Sequence, residues 1–195
     1  MAQLYFRYGT MNSSKSAQLL MVNHNYEEQG KKTIIFKPAL DTRDGKYVKS
    51  RALIGNVTAT IIQKEDKGEM FQHAKSIMPD CVLVDEAQWL HENHIDELTD
   101  IVDELSIPVI CYGLLTDFQG HLFDGSRRLL EVADKREEVK TVCRYCNKKA
   151  MFNMRVFEGE PIFHGEQLQV GGNESYIPVC RKCFKDRKQK WESNA

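Results

Sequence analysis

Short apolar runs alternate with amphipathic stretches through the first two-thirds of the chain. Gln3–Tyr8 is strand-like and rich in aromatics, and Ala17-Gln18-Leu19-Leu20-Met21-Val22 opens a helix that Gly30 is placed to close. Thr33–Lys37 predicts a second strand. The turn-rich stretch from Pro38 to Gly45 and the polar residues through Arg51 predict a mobile loop. β-Branching predicts one strand over Val57–Ile62, and a helix follows over Lys67–Ile77. Cys81–Val84 is a continuous apolar run, as a central parallel strand requires. Ile95, Leu98, Ile101, Val102 and Leu105 mark an amphipathic helix over Asn93–Leu105. A strand over Ile107–Tyr112, a helix over Gly125–Val132 and a strand over Val139–Val142 complete the alternation. The pattern predicts an α/β unit over residues 1–140, a parallel sheet flanked by helices, with ligands at the strand C-terminal ends. Gly9, Asp85 and Gly113 all follow predicted strands and could open on one crevice.

From Thr141 the helical periodicity is lost, which predicts a second unit over residues 141–195 ending in a frayed helical tail. The segment Phe157–Tyr176 is too polar and glycine-rich for a core of its own.

Composition narrows the class. The 195 residues are 42% apolar and 28% charged with a formal net charge of −1. That argues against disorder and gives no basic excess for a nucleic-acid partner. The N-terminus has no basic and apolar leader, no apolar run approaches a membrane span, and Ala2 stands where myristoylation needs glycine. The expectation is a cytoplasmic protein without a membrane or nucleic-acid partner.

Gly9-Thr10-Met11-Asn12-Ser13-Ser14-Lys15-Ser16 lies between the first strand and the first helix. Strand, small-residue loop, Lys-Ser and helix is the order of a P-loop, whose backbone N–H groups wrap a polyphosphate. One position departs from the pattern: Ser14 replaces the glycine before the lysine. The same loop could simply precede a helix capped by Ser13 or Ser14. Asp85 and Glu86 end an apolar strand, where a P-loop enzyme needs a metal-side acid and where a second carboxylate could take a proton from an attacking hydroxyl. They could also cap the next helix.

Cys81 and Cys111 lie in apolar runs and are small buried hydrophobes. Cys143-x2-Cys146 and Cys180-x2-Cys183, separated by 33 residues, form a stronger signal. Four thiolates so paired make a closed tetrahedral site suited to structural Zn²⁺, with no position open for catalysis. Between the pairs, Gln169–Tyr176 is either an ordinary hairpin or a loop closing over a ligand. The aromatics after the core strand, Phe118 and Phe123, are either core satellites or the walls of a slot for a planar base. The six histidines share no ligand spacing and are taken as surface or core residues.

The order and spacing of these features resemble the type II thymidine kinases over essentially the whole chain. The resemblance rests on Gly9–Ser16, Val84-Asp85-Glu86-Ala87-Gln88, Gly113–Phe123, the two C-x-x-C pairs and Gly171-Gly172-Asn173-Glu174-Ser175-Tyr176. It implies a RecA-like P-loop sheet with a small zinc-ribbon-like domain carrying a lasso loop. It also implies transfer of the ATP γ-phosphate to the 5′-hydroxyl of thymidine with Mg²⁺, in a homotetramer inhibited by dTTP. Glu86 would be the base; Gly9–Ser16 and Asp85–Gln88 would line the ATP site, with Ser16 and Asp85 on Mg²⁺. Asp41 and Arg43 would sit in a flexible loop near the phosphates. Met11, Leu114, Phe118 and Phe123 would surround the thymine ring, and Asn153, Arg155, Gly171, Gly172 and Tyr176 would belong to the covering loop. The alternatives are a zinc-ribbon P-loop ATPase acting as a binding module, or a homologue impaired by Ser14.

Overall fold

The reason Cys81–Val84 carries no polar residue is that both of its faces are covered. In the computed structural model, which describes residues 1–42, 44–165 and 175–194, Val82 and Val84 enter one apolar cluster while Cys81 and Leu83 enter another. This strand is β6 (Cys81–Val84) of a six-stranded sheet. The others are β1 (Leu4–Tyr8), β2 (Thr33–Pro38), β5 (Thr60–Ile62), β7 (Val109–Gly113) and β8 (Lys135–Glu138), in the order β5-β2-β6-β7-β1-β8. All neighbouring pairs are parallel, with β1 in register Leu4↔Val109 and Tyr5↔Lys135.

Helix α1 (Lys15–Glu28) places Leu19 and Leu20 on one sheet face against Ile35, Leu83, Ile110 and Tyr112. The other face packs against α2 (Glu69–Ile77), α3 (Glu92–Leu105) and α4 (Asp124–Val132), through Met70, Ile95, Leu98, Ile101 and Leu129. Gly30, at φ 69, closes α1 as the sequence indicates. The α3 residue Glu97 accepts a bond from Phe71 N at 2.7 Å, which caps α2 from outside. His94 is buried, and its Nδ1 accepts from His91 N at 3.3 Å at the start of α3.

Four local expectations are corrected. The segment expected to be a mobile loop contains β3 (Tyr47–Lys49), paired antiparallel with β4 (Asn56–Thr58). The strand expected over Val57–Ile62 is split between β4 and β5, which belong to different sheets, with Ala59 buried at the crossing. The last parallel strand lies at Lys135–Glu138, not Val139–Val142. It is the charged edge of the sheet, so no apolar signal marks it.

The fourth correction is C-terminal. Here β9 (Phe152–Phe157), β10 (Glu160–Ile162) and β11 (Tyr176–Val179) form an antiparallel sheet in the order β10-β9-β11. A full helix, α5 (Arg181–Asn194), follows. Phe163, from the segment too polar for a core of its own, packs on residues outside it, joining Met154, Val179 and Phe184 in a small apolar cluster with Cys143 and Cys180. The Gly-Gly part of the lasso lies outside the described residues.

Candidate active site

Strand β1 ends at Gly9, where the chain turns sharply enough that a Cβ would sit 2.4 Å from Val139 O and 2.5 Å from Ser13 Oγ. The loop then passes through two left-handed residues, Asn12 at φ 60 and Ser14 at φ 64, before α1 begins at Lys15. Ser14 thus adopts the conformation a glycine would take at no steric cost. Lys15 Nζ donates to Thr10 O at 2.8 Å, and to Gly9 O and Ser13 Oγ at 3.3 Å each, so its charge is held over the loop. The Thr10 hydroxyl is buried and has no hydrogen-bond partner among the described residues. An orphaned donor in a loop of backbone N–H groups at a helix N-terminus fits a polar, anionic ligand.

Strand β6 delivers the acids. Asp85 is buried, and its carboxylate accepts long hydrogen bonds from Ser16 Oγ at 3.4 and 3.5 Å. Burial pushes its pKa up to about 7, helped by the nearby charges of Glu86 and Asp41 and opposed by Lys15. The Asp85 carboxylate beside the Ser16 hydroxyl offers the hard oxygen donors that Mg²⁺ prefers. Glu86 follows with φ 50 and ψ 39, a left-handed conformation uncommon for a glutamate and frequent at functional positions. A 3₁₀ turn over Ala87–Trp89 succeeds it.

These groups line one cleft of about 630 Å³, together with Met11, Ser14, Asp41, Arg51 and Leu114. That volume accommodates a nucleotide. Of the residues the sequence points to, Met11–Ser16, Asp41, Asp85, Glu86 and Leu114 meet here. Phe118 and Phe123 are buried and lie outside this wall, against the Arg155 guanidinium at 3.7 Å and Trp89 at 4.8 Å. Asn153 is buried as well: its Oδ1 accepts from Met11 N at 2.7 Å and its Nδ2 donates to Thr116 O at 3.4 Å. The Tyr176 hydroxyl accepts from Arg155 at 2.8 and 3.0 Å. Gln88, expected in the ATP site beside Glu86, is buried outside the cleft wall and bonds Glu86 and Leu114. Arg43, Gly171 and Gly172 lie outside the described residues.

Sequence reasoning missed Lys37. It ends an apolar strand and is 1% exposed, yet Nζ reaches Asp41 Oδ2 at 3.1 Å, Gly45 O at 3.1 Å and Tyr47 O at 3.2 Å. Three donors meet three acceptors, and the loop bearing Asp41 is fixed against the cleft. Lys37 directly follows the run Ile34-Ile35-Phe36, but nothing in the sequence shows which acceptors it meets.

At the far end of the chain the Sγ atoms of Cys143, Cys146, Cys180 and Cys183 lie within 4.8 Å of one another. The separations Cys146–Cys180 and Cys183–Cys146 are 3.6 and 3.8 Å, against about 3.8 Å for a tetrahedron with 2.3 Å metal–sulfur arms. Backbone N–H groups of Tyr145 and Cys183 point at Cys143 Sγ and Cys180 Sγ at 3.5 Å, as thiolate ligands require. The donor set fits zinc.

Comparison with known proteins agrees with this geometry. The family model described as thymidine kinase matches residues 2–184. A thymidine kinase of Streptococcus gordonii is 50% identical over 187 residues, covering 94% of this chain and 96% of its own. That of Lactococcus lactis is 50% identical over 192 residues, with coverage of 94% and 97%. That of Lactiplantibacillus plantarum is 52% identical over 184 residues, with coverage of 93% and 94%.

Proposed function

The chain belongs to the thymidine kinase family, and from that premise we propose how its site works. The enzyme is an ATP-dependent thymidine kinase, and Glu86 is the base. As the thymidine 5′-oxygen forms its bond to the γ-phosphorus, the Glu86 carboxylate takes the hydroxyl proton, and the bond from that phosphorus to the β–γ bridging oxygen breaks to leave ADP. Lys15 and the backbone N–H groups at the start of α1 hold the phosphates. Ser16 and Asp85 would hold Mg²⁺, which when bound neutralises charge developing on the phosphate oxygens. Met11 and Leu114 stand on the nucleoside side.

The observation that carries this reading is the meeting of Lys15, Asp85, Glu86 and Leu114 in one cleft. Glu86→Gln tests it: phosphorylation of radiolabelled thymidine should fall by at least about 100-fold, the order expected for a general base, with thymidine binding retained. Normal turnover in that variant would remove Glu86 from the role.

Residues 141–195 act as a zinc-binding unit beside the kinase unit of 1–140, through Cys143, Cys146, Cys180 and Cys183. Six reduced cysteines fit a cytoplasmic setting, and among the described residues no helix is long and apolar enough to cross a membrane. Inhibition by dTTP and assembly into a homotetramer rest on the family resemblance.

A further inference from the structure

Gln88 is 2% exposed and stands between the acid end of β6 and the end of β7. Its amide can be oriented in only one way. The Leu114 backbone N–H lies 2.9 Å from one amide atom, and because an N–H can only donate, that atom is the carbonyl oxygen. The amide nitrogen is thereby turned toward Glu86 and donates to Oε2. One side chain therefore ties the Glu86 carboxylate to the backbone at Leu114, which lines the cleft.

The surrounding backbone is shaped around this side chain. A Cβ on Gly113 would lie 2.8 Å from Gln88 Oε1 and 3.1 Å from Gln88 N. A Cβ on Gly125, at the start of α4, would lie 2.5 Å from Ala87 O and 2.6 Å from Leu90 O. Two neighbouring elements thus approach the Ala87–Trp89 turn as closely as only glycine permits. Glu86 itself is in the left-handed region, a conformation that persists only where neighbours over-determine it. The Gln88 amide is one such neighbour.

We propose that Gln88 is a positioning residue of phosphoryl transfer, holding the Glu86 carboxylate in register with Leu114 so that base and acceptor hydroxyl are set by a single amide. The proposal rests on Glu86 being the base. Gln88 is not part of the cleft lining, so its effect passes through Glu86 and Leu114, which are.

Two variants separate its two arms. Gln88→Met loses both hydrogen bonds at similar volume, whereas Gln88→Glu keeps an acceptor for Leu114 N and loses the donor to Glu86. Steady-state kinetics should show kcat reduced about 10- to 100-fold in both, the scale of a misplaced catalytic group. The KM for ATP should stay within about twofold, and the KM for thymidine should rise only in Gln88→Met. In a Glu86→Gln background, Gln88→Met should cause no further loss of kcat, because the group it positions is already gone. A Gln88→Met enzyme with parental kcat beside an inactive Glu86→Gln enzyme would overturn the positioning role and leave the base in place. The same fold-loss from Gln88→Met in both backgrounds would also overturn it, as would a Gln88→Glu enzyme of parental kcat should Gln88→Met fail to fold. Normal turnover of Glu86→Gln would overturn the base assignment, and this proposal with it.

Discussion

At Ser14 the backbone takes φ 64 and ψ 21 while the carbonyl accepts the first helical bond, from Gln18 N at 3.0 Å. The left-handed conformation costs a serine about 1 kcal/mol relative to glycine. A strained loop residue shifts the loop toward shapes that do not hold phosphate, and that lowers the competent fraction. Ser14→Gly should therefore lower the ATP KM or raise kcat by up to about fivefold, the equivalent of about 1 kcal/mol. The melting temperature should change little, because glycine also frees the unfolded chain by a similar amount. Identical kcat and ATP KM in the two proteins would dismiss the effect. This departure was legible in the sequence because the spacing from Gly9 to Lys15 fixes where the glycine belongs. Lys37 was not legible. Its role depends on Asp41 Oδ2, Gly45 O and Tyr47 O converging on one ammonium, and no periodicity encodes that convergence.

At the scale of elements, strand β9 reaches across to the loop after β1. Asn153 accepts from Met11 N and donates to Thr116 O, joining the C-terminal sheet, the loop after β1 and the loop after β7. The family resemblance puts this residue in the nucleoside-covering loop, whereas both ends of its amide are engaged by protein backbone. Asn153→Ala would leave the half-buried Met11 N–H without its partner, at a cost of about 1 kcal/mol. We expect the ATP KM to rise at least about fivefold, with Asn153→Asp partly restored because it keeps the acceptor for Met11 N. A rise in thymidine KM alone would instead make Asn153 a base-contacting residue. The elements that sequence reasoning found, β6 and α3 among them, are those whose own burial pattern declares them. The split of Val57–Ile62 was hidden because β-branching marks extended chain and says nothing about a change of partner at Ala59. Edge strand β8 was displaced because Lys135-Arg136-Glu137-Glu138 has no apolar face to detect.

Across the whole molecule, the two C-x-x-C pairs marked a candidate metal site at once, yet nothing in their spacing showed that the sheet between them bonds the loop after β1. The C-terminal sheet has a small apolar cluster, Met154, Phe163, Val179 and Phe184 around two of the cysteines. A core of that size does not hold a fold without a cross-link or a metal. Zinc bound by Cys143, Cys146, Cys180 and Cys183 would close the loop between the pairs and stabilise the sheet that carries Asn153. Elemental analysis should find one zinc per chain. Stripping it with a chelator should expose Trp191, which packs near Phe163 and His164 at 6.1 and 4.9 Å, and so red-shift its emission in a Trp89→Phe background. The six-stranded sheet should keep its far-UV signal, because its two clusters contain none of the four cysteines. Loss of ATP binding should track the Trp191 shift, since the Asn153 link goes with the sheet. A metal-free protein with unshifted Trp191 emission and parental ATP affinity would show that the thiols hold the structure without zinc.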